Sequence, residues 1–290
     1  MKPTRIFFSL LLIPLCLFAH GPEEWTANDE QLILQDVPRI PDDLVKRLNR
    51  YQNMRSASLL DWAHNGEGIY IRTRFGELSQ VHHVREPGGI RRQLTWFAEP
   101  IGQAIRRGDR PELSITMDEG GGEQDQIFLF DPSSAKTVRL TDGESRNRLV
   151  RWSRDGKKMA FQSTRRNGRS NDLWWMEPGR PGSAELLLEA PDGSWFGPVD
   201  FSRNGRLLLV QQFISVDDSR IYILDLEDKE LYLVAGSGEA PSANKGISFD
   251  DKGTGFYFIT NMRGRAAELA RMSPVEDAQI EFLTRDSPWD

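Results

Sequence analysis

Along most of the chain, apolar and polar residues alternate in short runs, the period-two pattern of half-buried β-strands. The stretch 152–164, WSRDGKKMAFQST, shows one unit of the pattern. An aromatic ends one run, and Asp155-Gly156 then supplies a tight turn, because glycine accepts positive φ and aspartate bonds its local backbone. Met159 and Phe161 alternate with Ala160 and Gln162 in the next run. Asn167-Gly168 marks a second hairpin turn, 172–176 (DLWWM) a third strand and 184–188 (AELLL) a fourth.

The unit repeats. Segments ending in a Leu-Thr-like pair place leucines at 94, 140, 187, 233 and 283, in steps of 46, 47, 46 and 50 residues. A second marker runs in phase: Trp62 opens WAHNGEG, Trp152 WSRDGKK, Phe201 FSRNGRL and Phe249 FDDKGTG, with a weaker copy around Ile105. Four antiparallel strands in roughly 40–50 residues describe a propeller blade. The pattern therefore predicts an all-β fold, a β-propeller of four-stranded blades over 55–290, with repeats near 55–96, 97–142, 143–189, 190–235 and 236–285. The recurring aromatics Trp62, Trp152, Phe201 and Phe249 are expected to fill the wedges between adjacent sheets.

The extension 20–54 departs from the alternation. Within 41–54, Leu44, Leu48 and Tyr51 recur at helical spacing, Asp42 and Asp43 suit a helix start, and Arg47 and Arg50 suit its end. Leu32-Ile33-Leu34 is a candidate strand that could close a ring of blades. Before it, Lys2 and Arg5 precede an apolar stretch, Ile6–Ala19, of 14 residues. That is short of the roughly 20 a membrane-spanning helix takes. The order of basic start, apolar middle and small Ala19 predicts a secretory signal over 1–19, cut before His20. The protein is then exported, periplasmic or secreted, with no membrane span after the cut. Cys16 is the only cysteine, so the mature chain would have no disulfide and no thiol nucleophile.

Charge narrows the partners. Lys and Arg number 37 against 43 Asp and Glu, a formal charge of −6, with the signs interspersed. A nucleic-acid binder needs a concentrated basic face, so nucleic acid is not an expected partner.

Catalytic, cofactor and metal chemistry is not expected from these residues. A hydrolase serine elbow needs Gly-x-Ser-x-Gly; Ser145 in GESRN and Ser170 in GRSND each lack the second glycine. His82 and His83 are neighbours in a strand and point to opposite faces, so they do not share a metal. Gly120-Gly121-Gly122 lacks the Gly-Lys-Ser/Thr that a phosphate loop needs and reads as a hairpin turn. Arg72, Arg74, Arg165, Arg166 and Arg169 occupy comparable positions in two repeats. Arginines ringing one propeller face suit a peptide carboxylate or a partner domain, whereas arginines beside hairpin turns are more often simply solvated.

The stretch 51–95, with YQN, RSAS and TRFG in order, resembles the opening of bacterial peptidases of the prolyl oligopeptidase family. So does 149–176, LVRWSRDGKKMAFQSTRRNGRSNDLWWM, although that segment is also similar to TolB-type repeats. The resemblance implies an N-terminal propeller that caps an α/β-hydrolase domain with a Ser-Asp-His triad, restricting access and helping select peptide substrates. The family's propellers usually have seven or eight blades, so five repeats ending at Asp290 lead to the expectation of a propeller cut short before its hydrolase. Its partners would be a peptide substrate or that hydrolase domain. The competing expectation is a stand-alone periplasmic TolB-like scaffold that binds other periplasmic proteins.

Overall fold

The computed structural model describes residues 23–284, apart from 29, 181, 192–193, 237–239, 265 and 276–277. The expected signal and its Ala19–His20 cut lie outside the described residues. The chain divides into two compact units, Met1–Met54 and Arg55–Asp290.

In the first unit, β1 (Glu24–Ala27) and β2 (Leu32–Gln35) pair as an antiparallel hairpin. Leu32-Ile33-Leu34 thus finds its partner in β1. The helix α1 spans Asp42–Gln52, with Asp42 and Asp43 in its first turn and Arg50 in its last, complementing the helix dipole. None of its residues is buried. No helix among the described residues is long and apolar enough to cross a membrane.

The second unit is a β-propeller. Its described residues form five four-stranded antiparallel sheets, each a simple meander in chain order. The first blade is β3 (Ser58–Trp62), β4 (Ile69–Thr73), β5 (Gln80–Val84) and β6 (Arg92–Gln93). The second is β7 (Gln103–Arg106), β8 (Leu113–Met117), β9 (Gln126–Phe130) and β10 (Thr137–Arg139). The third is β11 (Asn147–Trp152), β12 (Met159–Ser163), β13 (Asp172–Met176) and β14 (Glu185–Leu188). The fourth is β15 (Trp195–Phe201), β16 (Leu207–Phe213), β17 (Ser219–Asp225) and β18 (Leu231–Ala235). The fifth is β19 (Asn244–Phe249), β20 (Phe256–Thr260), β21 (Glu268–Met272) and β22 (Glu281–Phe282).

The core lies between blades, and the two periodic markers explain how it is built. Three of the four marker aromatics at the ends of inner strands pack back on the preceding blade. Phe201 joins Ala160 and Leu173 of the third blade, and Phe249 joins Ile221 and Ile223 of the fourth. Trp152 donates its indole N–H to Ser114 Oγ of the second blade at 2.9 Å. Trp62 departs from the sequence expectation: it is 64% exposed, against 8% for Trp152. It stands on the first of the five blades, with no four-stranded blade before it in the described residues.

After β11 and β15 the same turn recurs. Ser153 Oγ bonds Asp155 and accepts the Lys158 N–H, and Ser202 Oγ bonds Asn204 and accepts the Leu207 N–H. Gly156 and Gly205 sit at φ 66° and 70°, where a side chain is strained. The second blade's turn uses Gly108 at φ 52°, where an added Cβ would lie 2.3 Å from the Arg154 carbonyl oxygen. Glycine here permits blade-to-blade contact as well as the turn.

Candidate functional site: an axial channel

The inner strands β3, β7, β11, β15 and β19 each begin a blade, and four of them carry a β-bulge at one shared place. Register shifts fall between Leu59 and Asp61, Arg148 and Arg151, Pro198 and Asp200, and Gly246 and Ser248. A bulge bends a strand and re-aims its side chains. In β11 the extra residue is Leu149, at φ 55°.

Two cavities open along these strands and share Arg151. One, about 480 Å³, is walled by Leu149, Trp195, Pro198, Val199, Phe213 and Ile259, with Lys245 among its polar lining. Trp195 stacks on Phe213 with centroids 5.4 Å apart, giving the cavity a flat aromatic wall. Gln211 ties this wall together: its amide donates to the Asn244 carbonyl at 2.8 Å and its Oε1 accepts the Gly246 N–H at 3.0 Å. The second cavity, about 510 Å³, is bounded by Leu59, Asp61, Arg72, Gln103 and Ile105.

Arg151 stands between them. Its Nε donates to the Val199 carbonyl at 2.6 Å and its Nη1 to the Val150 carbonyl at 2.7 Å. Burial pushes its pKa down, and the nearby Asp200 opposes that; a guanidinium nonetheless keeps its proton. Burial likewise pushes the Asp200 carboxyl up, against the Phe249 and Phe201 N–H donors and Arg151. The channel walls therefore carry Arg72, Arg151 and Lys245 against Asp61. Asp61 is already engaged, its Oδ2 accepting the Arg106 N–H at 2.8 Å. An apolar slot with a few fixed cations suits an extended peptide bearing a carboxylate.

The structure distributes the sequence-predicted arginines. Arg72 lines the channel and donates to the Gly102 carbonyl at 2.6 Å. Arg74 follows β4. Arg165 pairs with Asp142 at 3.6 Å and lies over Trp174, and Arg166 grips the buried Asp172 at 2.7 Å and reaches Glu189. Ser145 donates to Asp142 and Ser170 accepts from Asn167, both within turns. Sequence reasoning missed Arg151, Lys245 and the Trp195–Phe213 pair. Arg151 was within reach, because it precedes the marker Trp152 in phase with Asp61 before Trp62 and Asp200 before Phe201.

A family model for the prolyl oligopeptidase N-terminal β-propeller domain matches residues 108–283. Among proteins of curated function none matches the chain. Solved structures similar to it include a prolyl endopeptidase from work on inter-domain dynamics in catalysis and specificity, with TM-score 0.69 and 12% identity over 83% of this chain and 38% of that one. Prolyl oligopeptidase B from Galerina marginata, bound to a 35mer hydrolysis and macrocyclization substrate, is similar with TM-score 0.60 and 13% identity over 90% of this chain and 45% of that one. TolB from Acinetobacter baumannii has TM-score 0.55 and 15% identity, over 90% and 59%. At these identities the likeness is one of fold, and the chain spans 38% to 59% of the length of these structures.

Proposed function

The chain belongs to the prolyl oligopeptidase family through its N-terminal β-propeller domain, and from that premise we propose that it is the non-catalytic gate of an exported serine peptidase, admitting and helping to select peptides for a hydrolase domain. The observation that carries the proposal is the pair of cavities along the inner strands, where a stacked aromatic wall and Lys245 lie in one and Arg151 lines both. In this reading the apolar wall takes the side chains of an extended peptide and the cations take its C-terminal carboxylate, so neutral and acidic peptides enter ahead of basic ones. Export rests on the Lys2–Ala19 pattern. The likeness to TolB supports a second reading, a stand-alone binding scaffold.

Titration of a proline-containing peptide, followed by tryptophan fluorescence, tests the gate. Lys245 is exposed, so Lys245→Glu leaves the fold intact and is expected to weaken binding of a free-carboxylate peptide about tenfold, roughly the worth of one charge-assisted contact. Amidating the peptide should remove most of that difference. Equal binding by the parent and the variant would refute the channel as the peptide's path.

A further inference from the structure

The opposite edge of the blades carries a third, differently built cavity. β15 runs from Trp195, at the channel wall, to Phe201, and the turn after Phe201 lines a cleft of about 740 Å³. The turns following the inner strands of three consecutive blades meet there. Six cationic side chains, Arg107, Arg154, Lys157, Lys158, Arg180 and Arg203, line it with three carboxylates, Asp109, Asp155 and Glu177. In a chain whose formal charge is −6, this excess of positive charge is local, and a concave wall focuses such a field.

Two of the carboxylates are already paired. Asp109 meets Arg154 at 3.3 Å, and Asp155 meets Lys157 at 3.3 Å while also bonding Ser153 Oγ. Lys158, Arg180 and Arg203 have no carboxylate partner among the described residues, and Arg203 reaches only the Asp251 carbonyl, at 3.0 Å. Two cations are held in place by aromatic rings: Arg107 lies 5.4 Å from the Trp152 centroid and Lys158 lies 4.9 Å from that of Trp175. The Gly156 carbonyl fixes Arg107 further at 2.8 Å. Arg107 also meets Glu112 at 3.5 Å, so the charge the described residues leave unbalanced is that of Lys158, Arg180 and Arg203.

We propose that this cleft binds an acidic peptide segment, its successive carboxylates bridging the turns of the second, third and fourth blades. A single-stranded nucleic acid is the poorer fit, because it needs an open aromatic face for its bases. Trp152 is buried and Trp175 is covered by Lys158. The site stands on turn residues at the other edge from the channel wall.

Fluorescence anisotropy of labelled hexaglutamate added to the full chain tests it. Binding is expected to weaken as salt is raised and to fall by tenfold or more, an order-of-magnitude estimate, in the double variant Lys158→Glu/Arg180→Glu. Lys136→Glu, at an exposed lysine outside both the cleft and the channel, should bind as the parent does. Hexaglutamine should not bind. Three results would each overturn the proposal: equal binding of hexaglutamine, undiminished binding by a double variant whose circular dichroism matches the parent's, or loss of binding in Lys136→Glu. Inorganic phosphate displacing the peptide at equal concentration would also overturn it, by making the cleft a simple anion site.

Discussion

The Leu-Thr marker has a residue-level cause that the sequence pattern alone does not display. Thr141 Oγ1 accepts the Ile127 N–H at 3.0 Å and donates to the buried Gln126 Oε1 at 2.7 Å. Thr95 does the same with Val81 and Gln80, and Thr284 accepts the Leu269 N–H. The threonine therefore latches the outermost strand to its neighbour, and Thr141→Val should cost about 1–3 kcal/mol by stranding buried polar groups, read as a lowered urea midpoint. The periodicity was legible because the latch recurs, but its partner lies fifteen residues upstream in Gln126 and Gln80, beyond any local pattern. Carboxylates set the pH dependence. Hydroxyls and the N–H of Ser134 and Ser133 hold Asp131 at about 2. Burial opposes the same shift at Asp250, but the bonds from Arg271 and Thr254 outweigh it and hold that carboxyl at about 2. Their folded values lie below the ordinary 3.8, so their stabilisation is full above that pH and is lost as pH falls through about 2. An NMR titration of the two carboxyls checks the window.

Three inner strands, β3, β11 and β15, are each stapled to the next at one shared position. Asp61 Oδ2 accepts the Arg106 N–H and Asp200 Oδ2 the Phe249 N–H, both at 2.8 Å. Arg151, at the equivalent place, reverses the polarity and donates to the Val199 carbonyl. Asp200 serves here at a cost, because burial raises its carboxyl above the usual range. A raised folded value favours the protonated form, so its contribution is fullest below the ordinary 3.8 and declines as pH rises through the raised value. Asp200→Asn keeps an acceptor for Phe249 and removes the charge. Its stability advantage over the parent is expected to grow with pH, and denaturant midpoints across a pH series would show this. The strands and turns of these blades were readable from alternation and from Asp-Gly and Asn-Gly pairs. The bulges were not, because Leu149 at positive φ carries none of the glycine or asparagine signal that marks such a conformation.

At the scale of the molecule, the repeat reading anticipated the blades, and its one error marks the boundary of its logic. A repeat pattern treats Trp62 and Trp152 alike, whereas burial depends on a neighbouring blade. Trp62→Ala should therefore change stability by no more than about 0.5 kcal/mol, while Trp152→Ala should cost about 3–5 kcal/mol, and paired denaturation curves would separate them. The channel was only partly legible. Arg72 was singled out, but Arg151, Lys245 and the Trp195–Phe213 wall converge from three blades, and spacing within one repeat cannot show which side chains meet on the axis. The central claim is that peptides pass along this channel. The most direct measurement is photocrosslinking of a proline-containing peptide that carries a benzophenone, with the attachment sites mapped by mass spectrometry. Adducts at Leu149, Trp195 and Lys245 are the predicted result. Adducts confined to the outer strands, or none under saturating peptide, would contradict it.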